Sequence, residues 1–369
     1  MPQVDVHTSP FGETADGVAV TRFDLVASDG SHLSLLDYGA VVLEVHVPDR
    51  EGALSNVILG HPTLAAYERN DAYFGAFVGR TAGRLDTKPF TLGRRTVTLP
   101  ANEGRLHLHG GLGGFHARSY AAEVTEQGGE VAEVTLRRTS PDGEDGYPGA
   151  LRTEVRIRWS VDHVFGFEVV ATTDAPTLVS TTHHGAWNLA GEGAGDVLGH
   201  DLRVPADAYL ETRRDMLVTG TFHPVEGTPL DLREGVLLAG VVPGGGRLLA
   251  ADGALDAVRS LQRCEGIDHA FVLPPAPPEW LREAAVLVDP ASGRRLRVAT
   301  TEPVLQVYTG NHLDGSLVGR QGKPLGKYGG VALEPQRFPN SVQGMHVPSA
   351  LLDVGEVYAM TTTYAFDVV

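Results

Sequence analysis

Apolar and polar positions alternate in short runs along most of the chain. Val18-Ala19-Val20-Thr21-Arg22-Phe23-Asp24-Leu25, Val41 to Val47, Val131 to Leu136, Leu151 to Trp159 and Phe167 to Thr172 all follow this pattern or are rich in β-branched residues. A period of two turns one side chain toward a core and the next toward water, so each run predicts a strand. The same reading applies to Thr96 to Leu99, Ala284 to Val288, Leu296 to Thr301, Val304 to Tyr308 and Val357 to Phe366. Between them lie Asp29-Gly30, Asp49 to Gly52, Asp142-Gly143, Asp145-Gly146 and Ser292-Gly293, residues that suit hairpin turns. Helical candidates are short, Leu64 to Arg69 and Ala254 to Ser260. Gly240 to Gly246 and Pro274 to Pro278 read as loops, because strand-like sequence flanks each on both sides. The pattern predicts an all-β chain, with residues 1–369 forming a single domain.

Composition narrows the function classes. The chain has 46 acidic and 30 basic residues, a formal net charge of −16. So acidic a surface repels phosphate backbones and anionic headgroups, which argues against nucleic acid and membrane as partners. It leaves a neutral small molecule open. Cys264 is the only cysteine, which excludes an intramolecular disulfide and a cluster of thiolate ligands. Met1 to Gly12 lacks a basic flank followed by an apolar core, so no signal peptide is expected there. No apolar run approaches the roughly 18 residues of a membrane helix. A soluble, cytoplasmic protein is the expectation.

Chemistry-bearing residues gather in a few stretches. In Val331-Ala332-Leu333-Glu334-Pro335-Gln336-Arg337-Phe338-Pro339-Asn340 an apolar strand runs into a carboxylate and then a proline, which has no N–H for a ladder. Glu334 is therefore expected where a buried strand stops, a position that suits a catalytic base and equally an ordinary sheet-edge glutamate. Gly79-Arg80-Thr81-Ala82-Gly83-Arg84-Leu85 offers two arginines for ligand hydroxyls or for structural ion pairs. In Leu106-His107-Leu108-His109-Gly110-Gly111, alternation puts both histidines on one strand face, but no nearby carboxylate or cysteine completes a metal site. His183 and His184 are adjacent, so on a strand they face opposite ways and at most one faces a shared pocket. Asp268 opens a buried strand, as a turn acceptor or a ligand contact.

In this order the stretches resemble the aldose 1-epimerase (galactose mutarotase) family. Gly83-Arg84-Leu85 looks like the end of its Gly-Arg…Asn-Arg-Ile segment, and Leu108-His109-Gly110-Gly111 with Gly114-Phe115 like its Leu-His-Gly-Gly…Gly-Phe. Gly143 to Gly149 resembles its acidic turn, and His184…Trp187-Asn188-Leu189-Ala190-Gly191 its His…Phe-Asn-Leu-Ala-Gly. Gly227 to Arg233, Leu305 to Asn311 and Leu333-Glu334-Pro335-Gln336…Phe338-Pro339 complete the series.

The resemblance implies a large twisted antiparallel β-sandwich of the galactose mutarotase-like type. It implies a reaction that interconverts the α and β anomers of a free aldose with no cofactor and no metal. By position, Glu334 matches the family's base and His184 its acid; His109, Arg84, Asp268 and Gln306 match substrate-binding groups. Those side chains are expected around one pocket, with Glu334 and His184 about a sugar ring apart. At reference pKa values Glu334 would be ionised at pH 7, and its charge would help His184 to hold a proton. A bell-shaped pH dependence of kcat/KM follows. Five positions in four places depart from the family pattern. Gly83 stands where an asparagine is common, Leu106 where a polar residue is, and Tyr120 where a tryptophan is usual; Gly185-Ala186 replaces a hydroxylic residue and an aromatic. Proton-transfer residues are thus retained while hydroxyl contacts are thinned. That leaves three readings: a mutarotase, a relative recruited to another hemiacetal opening or cyclisation, and a non-catalytic sugar binder. The partner is a small sugar or sugar-like molecule, the assembly a monomer or homodimer.

Overall fold

The computed structural model describes residues 2–69, 72–244, 255–342 and 349–369. Most of the strands expected from alternation form, and they assemble into three main antiparallel sheets. The first is a meander of Val4–Glu13, Ala19–Ala27, His32–Leu36, Val42–Pro48 and Leu54–Asn56. The second has nine strands and runs from Ala121–Glu126 at one edge, through Leu151–Ser160, Val164–Thr173 and Tyr358–Val368, to Val236–Leu237. The third has six, in the order Ala186–Trp187, Val331–Gln336, Val304–Tyr308, Asp268–Val272, Ala208–Thr212 and Val218–Pro224.

Alternation explains the packing. In Leu151–Ser160, the residues Leu151, Thr153, Val155, Ile157 and Trp159 are buried while the intervening ones reach outward. The outward set is charged, and Arg137, Arg156 and Arg158 bridge Glu123, Glu133, Glu154 and Glu168 of neighbouring strands. One core draws on all three sheets, with Leu25 and Val45 from the first, Ile157, Phe167 and Tyr364 from the second, and Phe271, Leu305 and Leu333 from the third. The architecture is therefore a β-sandwich, as the sequence leads one to expect.

The helix over Leu64–Arg69 coincides with its prediction, and the second helix covers Leu255–Cys264. Ala254 of that second candidate, and Gly245 and Gly246 of the glycine loop, lie outside the described residues. Val4–Glu13 was not expected as a strand. Much of its surface faces water, so it carries little hydrophobic signal. Among the described residues, no helix is long and apolar enough to cross a membrane.

One expectation about Glu334 is corrected. The strand does not stop there but continues through Pro335 to Gln336, with Pro335 opposite Leu305. Its other neighbour, Ala186–Trp187, pairs only with Ala332 and Val331. Among the described residues, one edge beyond Ala332 thus has no ladder partner, which leaves a side where a missing N–H goes unneeded. All six residues of Val331–Gln336 are buried, so Glu334 lies inside the sandwich rather than at its rim.

Candidate active site

Strand register alone assembles half of the site. Gln306 lies opposite Glu334, and Tyr308 opposite Asp268, on adjacent strands. Residues directly opposite, or two apart on one strand, point to the same face. Asp268, Tyr308, Gln306, Ala332, Glu334 and Gln336 therefore share a face, and all six line one cavity of about 270 Å³. Leu305, Val307 and Leu333 project the other way into the core. The polar lining of the cavity is thus set by the same alternation that fills the hydrophobic interior.

The opposite wall comes from separate chain segments. His184 ends the short strand Thr182–His184, which pairs with Ala76–Val78. Arg84 begins Arg84–Asp86, whose partner strand Leu106–Leu108 delivers the chain to His109. His109 itself has left the strand, at φ +52°. The next residue shows why a glycine run follows, since a Cβ on Gly110 would stand 1.9 Å from the Gly79 carbonyl oxygen. His107 and His109 consequently do not share a face, contrary to their alternation. His107 is spent on the scaffold, with Nδ1 2.7 Å from the Pro100 carbonyl oxygen and Nε2 2.8 Å from the Tyr147 hydroxyl.

His184 Nε2 stands 3.5 Å from Glu334 Oε1. The two are closer than the ring's width that the sequence reading sets. Closeness is what the chemistry asks, because the two oxygens that exchange protons in a cyclic hemiacetal are bonded to the same carbon. Among the described residues, Glu334 Oε2 and His184 Nδ1 have no hydrogen-bond partner. The two imidazoles of His109 and His184 meet edge to face at 5.2 Å, and Tyr73 packs on both at 4.7 and 5.8 Å. His109 Nδ1 accepts a hydrogen bond from the Gly83 N–H at 3.3 Å. That acceptor role leaves the proton of the neutral ring on Nε2, where it can be donated.

Arg84 is fixed by a carboxylate that the sequence did not single out. Its guanidinium donates to both oxygens of Glu103, at 2.6 and 2.8 Å, and lies 3.9 Å from Asp268. Burial opposes its charge, but the Glu103 hydrogen bonds and the Asp268 charge together hold it more firmly protonated than usual. Asp268 in turn accepts from Gln306 Nε2 at 2.7 Å. Glu103 sits in a loop with no period, so nothing in its neighbourhood marked it. Tyr73, Tyr308 and Gln336 also line the cavity and were not named as site residues.

Electrostatics corrects the expected charge states. Glu334 is 3% exposed and His184 8%. Burial, with the Asp268 charge adding to it, pushes the Glu334 carboxyl up to about 8, while Arg84 offsets part of the rise. Burial likewise pushes His184 down to about 4. Each group is driven to its neutral form because the dry wall penalises both charges. Between about pH 4 and pH 8 the pair still carries one proton, as a Glu–His ion pair would, but it rests on the carboxyl. His183 faces the other way, among Phe165, Phe167, Trp187 and Tyr364, and burial pushes it to about 3. Packed among those aromatic rings, it is a core residue rather than part of the cavity lining.

One ligand atom each from His109, His184 and Glu334 lies within 4.8 Å of the others, close enough to hold a single cation. The buried Arg84 charge beside them works against it. On the outer face His32, Glu44 and His46 form a similar group, but Glu44 already binds Arg22 and Arg320.

The two arginines of the Gly79–Leu85 stretch divide. Arg84 lines the cavity, whereas Arg80 is 2% exposed and spends its donors on Ser140, Pro141, Pro148 and Thr177. The four sequence departures also divide. Gly83 and Ala186 line the cavity; Leu106 and Tyr120 are buried away from it, with the Tyr120 hydroxyl on the Phe115 carbonyl.

Comparison with known proteins extends this geometry to the whole chain. A family model described as aldose 1-epimerase matches residues 22–365. The chain belongs to the aldose 1-epimerase family. A galactose mutarotase from Rattus norvegicus is 37% identical over 370 residues, 99% of each chain. An aldose 1-epimerase from Escherichia coli (strain K12) is 31% identical over 353 residues, 95% of this chain and 96% of its own. Among solved structures, a galactose 1-epimerase from Lactobacillus acidophilus superposes with a TM-score of 0.80 at 26% identity and covers 99% of both chains. This aldose 1-epimerase family member thus shares both the sandwich and its full span with such proteins.

Proposed function

We propose that the protein is an aldose 1-epimerase, interconverting the α and β anomers of a free aldose by opening and reclosing the ring. The observation that carries this is the Glu334–His184 pair, two buried proton-transfer groups 3.5 Å apart. Hydroxyl-binding side chains, Arg84, His109, Asp268 and Gln306, surround it.

Ring opening needs a base at the anomeric hydroxyl and an acid at the ring oxygen. One proton shared between Glu334 and His184 supplies both at once. Once the shared proton has passed from Glu334 to His184 across their 3.5 Å contact, Glu334 takes the hydroxyl proton as carboxylate while imidazolium His184 gives one to the ring oxygen. His109, a donor at Nε2, steadies the ring oxygen, and Arg84, Asp268 and Gln306 hold hydroxyls. Rotation about C1–C2 turns the other carbonyl face to the ring hydroxyl, and closure reverses both transfers. No net proton is consumed, so the site is reset after each passage. Proton transfer by each group is worth roughly 10²–10⁴ in rate.

Ala186, Phe74, Leu313 and Leu317 form one apolar cluster on the pocket wall. That apolar wall favours, as a second reading, a sugar with fewer hydroxyls than galactose or an apolar substituent. A single core shared by the three sheets supports reading residues 1–369 as one domain. Polarimetry of freshly dissolved α-D-galactose, α-D-glucose and 6-deoxy sugars tests both readings. Acceleration with the common hexoses supports the first. Acceleration confined to deoxy or substituted sugars supports the second, and binding without acceleration with any of them rejects an epimerase.

The pair predicts the pH profile. His184, with its pKa lowered, takes a second proton only as pH falls to about 4, and the pair then lacks a base. Glu334, with its pKa raised, loses the shared proton as pH rises past about 8, and the pair then lacks an acid. After subtraction of the spontaneous reaction, kcat/KM is expected to peak between these limits and fall on both sides. A rate still rising above pH 9 would contradict the assignment.

A further inference from the structure

Gln336 is 1% exposed, yet among the described residues neither its amide oxygen nor its amide nitrogen has a hydrogen-bond partner. A buried amide left so is costly, and native structures rarely leave one without a partner from outside the polypeptide, such as an ordered water or a ligand. Its location points to a ligand. Gln336 stands two residues beyond Glu334 on the same strand, so both side chains enter the same cavity. The backbone makes its own ladder contact with Val304, which leaves the side chain free of any scaffold duty.

Gly83 stands directly across from the amide. A Cβ built on Gly83 would stand 3.5 Å from Gln336 Nε2, 3.7 Å from Oε1 and 3.2 Å from Pro339 Cβ. Any side chain at position 83 would thus reach the same region that the Gln336 amide now faces. Gly83 also has φ +75°, a conformation that asparagine tolerates and most residues do not.

We propose that Gln336 is a substrate-binding and specificity-determining residue, whose amide hydrogen-bonds one ring hydroxyl of the sugar across the gap that Gly83 leaves. An amide offers a donor and an acceptor together, which matches a hydroxyl group's own two roles. This assignment rests on the epimerase reading for its substrate class, but not for its geometry.

The test is a binding cycle on the intact protein with galactose and its 2-, 3-, 4- and 6-deoxy analogues. Calorimetry supplies Kd, and polarimetry supplies KM and kcat. Gln336→Met, which keeps length and bulk, is expected to weaken galactose binding and raise KM roughly 2- to 10-fold with kcat little changed. One particular deoxy sugar should bind the wild type more weakly by a similar factor and be indifferent to the substitution. Adding Gly83→Asn to Gln336→Met should restore much of the lost affinity, since the asparagine amide occupies the same gap. Equal losses for all five sugars, or no loss for any, would overturn the proposal. Deoxy-selective binding without acceleration of mutarotation would sink the epimerase reading while this assignment stands.

Discussion

Glu334→Gln is expected to lower kcat for mutarotation by roughly 10²–10⁴ while leaving the protein as stable as before or more so. Glutamine keeps the shape and neutrality of the protonated carboxyl, so packing in the strand is undisturbed. What it cannot do is take a proton from the anomeric hydroxyl. The stability part has a defined sign. Folding raises the Glu334 pKa from 4.5 to about 8. Relative to the unfolded chain, its stabilising protonated state is fully present below about pH 4.5 and is lost as pH rises through 8. Replacement by glutamine removes that alkaline penalty, of the order of a few kcal/mol. The melting temperature of the variant should therefore exceed that of the wild type by a margin that grows from pH 5 to pH 8. His184→Asn should lose activity to a comparable degree, and the double variant little more, because the two act as one unit. An active Glu334→Gln protein, measured by polarimetry at pH 7, would remove Glu334 from the chemistry.

Arg80→Met is expected to destabilise the fold by about 3 kcal/mol or more, and without a direct effect on sugar binding. The guanidinium donates to Ser140 Oγ and its carbonyl oxygen, to the Pro141 and Pro148 carbonyls, and to Thr177 Oγ1, at 2.8–3.1 Å. It also lies over the Tyr147 ring. None of these acceptors is a carboxylate, and burial pushes its pKa down to about 10, so the charge is retained at a cost. Methionine fills most of the volume and leaves several buried oxygens without donors. The consequence reaches the pocket indirectly, since Tyr147 bonds Thr81 and His107, and that stretch sets the course of Gly83 and Arg84. Urea denaturation should show a lower midpoint with an unchanged slope. Arg84→Met is expected to behave in the opposite way, with KM raised. An unchanged midpoint for Arg80→Met, accompanied by a raised KM, would place Arg80 in the pocket instead.

The contrast between these two arginines marks how far the chain could be read as a string. Alternation named most of the long strands of the nine-stranded sheet, because one-sided burial writes a period of two into the residues themselves. The motifs carried the family and, with it, Glu334, His184, His109, Arg84, Asp268 and Gln306. All six line one cavity. Strands such as Val4–Glu13, with most side chains in water, left no such mark. Glu103 and Tyr73 were invisible too, since each matters only through a residue distant in sequence.

What the sequence by itself determined was the fold class, the acidic surface and, through the family motifs, which candidate residues to look for in one cavity. Only the tertiary structure shows how one histidine of each pair reaches the cavity, through a positive φ at His109 and one step of strand parity at His184. It also decided the charge states. A glutamate and a histidine carry reference pKa values as isolated residues, and burial in the cavity wall raises Glu334 to about 8 and lowers His184 to about 4. Burial is a property of the assembled sheets, and no local pattern of residues encodes it.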